Sequence, residues 1–104
     1  MATSPTTRSL KKLREDGWRA AVVEHWNPFA HIRQDLFGVI DIVGVGERGT
    51  IGVQTTSDSN VSSRVQKIAE SDAIVDLRKA KWIIEVHGWK KVGARWVCRV
   101  IDVS

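Results

Sequence analysis

One segment of the chain leaves few ways to fold: FGVIDIVGV-GERG-TIGVQTTS, residues 37–57. Two apolar, β-branched runs flank Gly46-Glu47-Arg48-Gly49, the pattern of a β-hairpin. If Gly46 pairs with Gly49, counting outward along an antiparallel ladder sets Asp41 opposite Gln54. Opposite residues share a face of the sheet, with Cβ atoms roughly 4.5–5.5 Å apart. A carboxylate inside an otherwise apolar strand is costly unless it has a partner. That cost marks the pair as a site, and an acid beside an amide oxygen can share one divalent ion that takes oxygen ligands.

The chain's 104 residues are enough for one domain with a real core. The first seven, MATSPTT, are small and polar and are expected to be a disordered tail ahead of a domain over 8–104. They lack the basic start and apolar stretch of a secretory signal, and no apolar run approaches the roughly 20 residues of a membrane span. The single cysteine, Cys98, excludes an internal disulfide and a multi-cysteine zinc site. A cytoplasmic location is therefore expected. The net charge of +4 comes from clusters that include Arg8, Lys11, Lys12 and Arg14 early in the chain and Arg64 and Lys67 further on. Any one cluster is as well explained as solvated surface. Their repetition along the chain favours a polyanionic partner, and nucleic acid above others.

Periodicity predicts a short helix over 8–16 with Leu10 and Leu13 inward, ended by Gly17, then a strand over 18–24. Residues 25–35, which contain the turn signal Asn27-Pro28, read as a loop. The hairpin strands span 36–45 and 50–55. Asp58, Ser59 and Asn60 offer caps for a helix over 61–71 with a Val61/Val65/Ile68 stripe. Residues 73–80 read as a second helix or a continuation. Strands over 81–87 and 96–103 enclose a turn region at 88–95. The order αβββαββ implies an α/β fold, a single mixed β-sheet flanked by helices. The link from Thr55 to Lys81 is long enough for a crossover to a parallel strand.

Ile40-Asp41-Ile42 on the second strand and Gln54-Thr55-Thr56 on the third resemble the signature of the PD-(D/E)XK nucleases. The closest likeness is to small members of the Holliday-junction-resolvase type and to phage-encoded ones, over roughly residues 8–85. That signature is an acid, then Glu or Gln, any residue and Lys. The resemblance implies a restriction-endonuclease-like core and metal-dependent hydrolysis of DNA phosphodiesters, with branched or recombination intermediates as candidate substrates. It makes Asp41 the metal-binding acid and Gln54 the second ligand, with the Thr55 backbone carbonyl as a further ligand to Mg²⁺, which Mn²⁺ can replace.

Three positions depart from the pattern, the first being Ile40, which replaces the proline before the acid. Thr56 stands where the family has its catalytic lysine, and Lys67 on the following helix is the candidate replacement. Arg8 or Ser9 stands where the family often has an acid on its first helix; Glu24 and Asp35 are the candidate substitutes. Arg64 and Lys67 lie on one helical stripe. With Lys11, Lys12, Arg33 and Trp26 they make up the expected nucleic-acid contacts, Trp26 by stacking on a base.

The other features read more plainly. His25, His31 and His87 lack tight metal-ligand spacing. Gly44, Gly46 and Gly49 precede a strand, so they are not a phosphate-binding loop. Of five tryptophans, Trp18 and Trp82 read as core, and Trp89 and Trp96 as a cross-strand pair or an interface. Three functions compete: a metal-dependent nuclease, for which a symmetric homodimer would suit a two-strand substrate; a non-catalytic nucleic-acid-binding module on a degenerate nuclease fold; and a structural protein in which Asp41 is simply salt-bridged to Arg48 or another cation.

Overall fold

The computed structural model of the protein describes residues 4–104. Helix α1 spans Pro5–Glu15. Ser4 caps it by accepting from the Thr7 N–H at 3.1 Å, and Pro5 takes a first-turn position where its missing N–H costs nothing. Residues 5–7, expected in a disordered tail, are thus the helix's first turn; residues 1–3 lie outside the described residues. The helix ends at Gly17, whose φ of 95° suits glycine. The N–H of Gly17 donates to Arg14 and that of Trp18 to Leu13, closing the last carbonyls before the chain turns back.

Strands β1 (Arg19–Val22), β4 (Ile42–Gly46), β5 (Gly49–Ser57), β6 (Ile83–Val92) and β7 (Arg95–Asp102) form one mixed sheet in the order β1-β4-β5-β6-β7. Only β5 and β6 run parallel, joined across α2 (Val61–Ala69) and α3 (Ala73–Lys79). The hairpin register is the counted one: Gly46 faces Gly49 and Ile42 faces Val53, with Gly49 at φ 111° in the turn.

The expected order αβββαββ needs correction in three places. Residues 25–34 are not a loop but a small second sheet, β2 (His25–Asn27) paired with β3 (Ile32–Gln34). The Asn27-Pro28 turn signal marks the tip of that hairpin. The helical stretch after β5 is two helices. The turn expected over 88–95 shrinks to Gly93-Ala94, because Lys90, Lys91 and Val92 go on pairing with Val97, Trp96 and Arg95.

Side chains alternate across the sheet, so each face has its own core. Leu13, Trp18, Ala20, Ile42, Ile51 and Val53 pack on the α1 side. Val39, Ile40, Ile84 and Val86 meet Val61, Ile68, Ile74 and Leu77 of α2 and α3 on the other. Trp82 packs against this second core as expected. Gly88 allows the start of α2 to sit directly on β6: a Cβ there would overlap Val61 Cγ2 and lie 3.2 Å from Asp58 Cα. No helix of the described residues is long and apolar enough to cross a membrane.

Candidate metal centre

Asp41 precedes β4, where its N–H still donates to Val53 at 2.9 Å and continues the ladder. Its carboxylate is 3% exposed and is held by neutral donors. Gln54 Nε2 donates to Asp41 Oδ2 at 2.8 Å, the Thr55 N–H at 2.8 Å and Thr55 Oγ1 at 3.2 Å. All three converge on Oδ2, so none of them occupies Oδ1. Thr55 meets Asp41 through its N–H and hydroxyl. Arg48 does not reach Asp41: its guanidinium stacks 4.5 Å from the Trp18 ring and donates to the Asp16 carbonyl.

Two more carboxylates join Asp41. Glu24, just after β1, and Asp35, just after β3, each bring an oxygen to the same place, and the three acid oxygens lie within 4.8 Å of one another. Three negative groups at that separation repel unless protons or a cation intervene. Burial pushes the Asp41 carboxyl up to about 7, and its hydrogen bond and charge interaction with Asp35 and the charge of Glu24 add to the rise. For Asp35, burial pulls the same way but is outweighed by its hydrogen bond to Asp41 and by the Lys67 ammonium, so it lies below its ordinary value. The two carboxyls are thus pushed apart, Asp41 towards keeping a proton and Asp35 towards releasing one.

This donor set fits a hard divalent cation. It is all oxygen, and the buried Gln54 Oε1 has no hydrogen-bond partner. An amide oxygen left unpaired out of water is costly, and a cation beside Asp41 would satisfy it. The residues Glu24, Asp35 and Asp41 could thus hold a metal ion, with Gln54 as a fourth donor.

Cations line the rim. Lys67 Nζ donates to Asp35 Oδ2 at 3.2 Å, so the helix residue reaches the acid cluster from α2. Arg33 lies 3.8 Å from Glu24. An open cleft of about 670 Å³ runs past Thr6, Glu24, Arg33, Thr55, Thr56 and Arg64. A second, of about 430 Å³, is lined by His25, Arg33, Gln34, Asp35 and Lys67. Arg33 borders both. Arg64 keeps its Nε buried without a partner. Thr56 is buried beside the first cleft and puts a hydroxyl where the resemblance expects a cation. Lys11 and Lys12 stand apart, lining neither cleft and pairing along their own helix with Glu15 and Asp16.

Thr6 was hidden from sequence reasoning. Its hydroxyl lies 2.9 Å from Thr55 Oγ1 and donates to Glu24 at 3.4 Å, which brings the first turn of α1 into the site. The signal was Ser4-Pro5, a cap followed by a first-turn proline. Also unforeseen is a buried chain on the α1 side: Ser9 Oγ lies 3.0 Å from His87 Nδ1, His87 Nε2 3.0 Å from Glu85, and Trp89 Nε1 donates to Ser9 at 2.8 Å. Ser9 and His87 are fully buried, so this chain clamps α1 to β6 and offers no nucleophile to solvent. Trp89 faces Cys98 and Trp96 faces Lys91, so the two tryptophans are not directly opposite; Arg8 stacks 3.5 Å over Trp96 instead. No protein-family model, no curated protein and no solved structure matches the chain.

Proposed function

We propose that the protein is a Mg²⁺-dependent DNA nuclease that hydrolyses phosphodiester bonds, on a restriction-endonuclease-like core. One observation carries the reading: the acid and amide of a single hairpin, Asp41 and Gln54, meet Glu24 and Asp35 at a cluster that Lys67 borders. The order of the large sheet supports the core assignment, since β4 and β5 form a hairpin before helices cross over to a parallel β6.

Glu24, Asp35, Asp41 and Gln54 would hold the ion. What Mg²⁺ or Mn²⁺ supplies at such a site is charge, which lowers the pKa of a bound water and polarises a phosphoryl oxygen. Gln54 and Thr55 would hold the Asp41 carboxyl in place through Oδ2. Arg33 and Arg64 place the DNA backbone in the larger cleft by pairing with phosphates. Lys67 takes the part of the missing third-strand lysine: its ammonium offsets negative charge that builds on the phosphate as the bond breaks. Thr56 cannot, because a hydroxyl carries no charge.

The test uses supercoiled, linear, single-stranded and branched DNA with Mg²⁺, with Mn²⁺ and with chelator. Cleavage that needs the cation and is abolished in Asp41→Asn is the expected result. Salt-sensitive binding without cleavage would instead make the chain a nucleic-acid-binding module, a result that the threonine at position 56 would then explain.

A further inference from the structure

The β2–β3 hairpin is the least covered apolar part of the described molecule near the acid cluster. Phe29 at its tip is 95% exposed, Trp26 53% and Ile32 50%. Such exposure on a disordered loop would mean little, but this tip is built. Asn27 Oδ1 accepts from the N–H groups of Phe29 and Ala30 at 3.0 and 3.1 Å, and Pro28 fixes the backbone between them. The Trp26 ring is braced edge-on by His31, centroids 6.3 Å apart. Holding aromatic side chains out in water at a fixed angle reduces the ordering cost of whatever stacks on them.

Charge narrows the occupant. Residues 25–34, HWNPFAHIRQ, contain no acid. Trp26 faces Arg33 across the two strands, so both project from one face of the hairpin. Arg33 borders both clefts, and its neighbour Gln34 and the cross-strand His25 line the second. A ligand that touches Trp26 and its cross-strand partner Arg33 is at the rim of two clefts, one lined by Arg64 and the other by Lys67. Flat apolar groups joined to a chain of negative charges match that surface, and unpaired nucleobases on a phosphate backbone have that form.

We propose that the hairpin is a base-stacking arm. Phe29 and Trp26 take unpaired bases of a DNA strand whose phosphates lie at Arg33 and Arg64, which directs the protein to single-stranded, forked or branched DNA over continuous duplex. In duplex the bases are stacked on one another and offer the arm no free face. The proposal rests on the reading of the acid cluster as a DNA-cleaving site, and binding and cleavage are therefore scored separately.

Fluorescence anisotropy in chelator compares a single-stranded oligonucleotide, a fork and a blunt duplex of the same sequence. Phe29→Ala should weaken single-strand and fork binding about tenfold and Phe29→Ala/Trp26→Ala about a hundredfold, with the blunt duplex unchanged. Phe29→Trp should restore affinity. Because stacking displaces no counterions, the salt slope of binding should not move in Phe29→Ala. Phe29 is so exposed that its variants should melt like the parent. Equal fork affinity in all variants, or an equal loss on blunt duplex, would overturn the arm. Fork binding that falls in Phe29→Ala, in a protein that cuts no DNA with Mg²⁺ or Mn²⁺, would uphold the arm and overturn the nuclease. Unchanged fork binding and cleavage in Phe29→Ala would do the reverse.

Discussion

Asp41 is a group in conflict with its surroundings. It is buried, it faces two other acids, and its ordinary value of 3.8 is pushed up to about 7. Gln54 and Thr55 donate to Asp41 Oδ2, and the amide oxygen of an asparagine can accept the same bonds, so Asp41→Asn keeps them and removes the charge. Two consequences follow near pH 8. Without divalent cation the variant should melt higher than the parent, since no carboxylate is then held out of water beside Glu24 and Asp35. With Mg²⁺ the parent should gain stability, about 2.7 kcal/mol at a hundred times the dissociation constant, and the variant little or none. Thermal melts with and without the ion check both; a full Mg²⁺ gain in Asp41→Asn would sink the site. Lys67→Ala leaves the acids in place and removes the cation that touches Asp35. We expect cleavage to fall about 10²–10³-fold while Mg²⁺ still raises the melting temperature. Undiminished cleavage in that variant would remove Lys67 from the mechanism.

The site is assembled by elements that the hairpin does not contain. Helix α1 contributes Thr6 from its first turn, and that turn depends on the Ser4 cap. Ser4→Ala should cost about 1 kcal/mol of stability in urea titrations and loosen the Thr6–Glu24 contact. Further along, Ser9 accepts from Trp89 and meets His87 in full burial. Ser9→Ala leaves the buried His87 and the half-buried Trp89 N–H without their partner and should destabilise by about 1–3 kcal/mol. Alanine is the better helix former, so a loss in Ser9→Ala reports the broken network; an unchanged or raised stability would show that the network adds nothing. On the opposite face, the close approach at Gly88 holds the start of α2, and through α2 the position of Lys67. Gly88→Ala forces Val61 or the Asp58 backbone to shift and should cost about 1–3 kcal/mol.

At the scale of the molecule, the acid cluster sets the pH response. Asp41 has a folded value above its unfolded one, so between about pH 4 and 7 the native state holds a proton that the unfolded chain has released. Stability should fall as pH rises through that window. Asp35, held below its ordinary value, contributes stability that is present above that value and lost as pH falls through the lowered one, outside the window. Melting temperatures over this range in chelator should therefore decline towards neutrality, flatten in Asp41→Asn, and recover with Mg²⁺ above pH 7, where the ion need not displace a proton. A parent profile that rises with pH in chelator would contradict the burial of that carboxyl.

Local chemistry by itself determined the hairpin, its register and the shared face of Asp41 and Gln54, because glycine turns and the two-residue strand period act within a few residues of one another. It also marked the Val61/Val65/Ile68 stripe and the crossover between parallel strands. It could not show that Glu24 and Asp35 both reach Asp41, since loop acids carry no periodic signal and either could have pointed to solvent. Nor could it show that Thr6 enters the site, that residues 25–34 pair into an arm, or that Lys67 meets Asp35. Those are meetings between segments far apart in the chain. Only the packing of α1 and α2 on opposite faces of one sheet decides them, because it fixes where the ends of each element emerge.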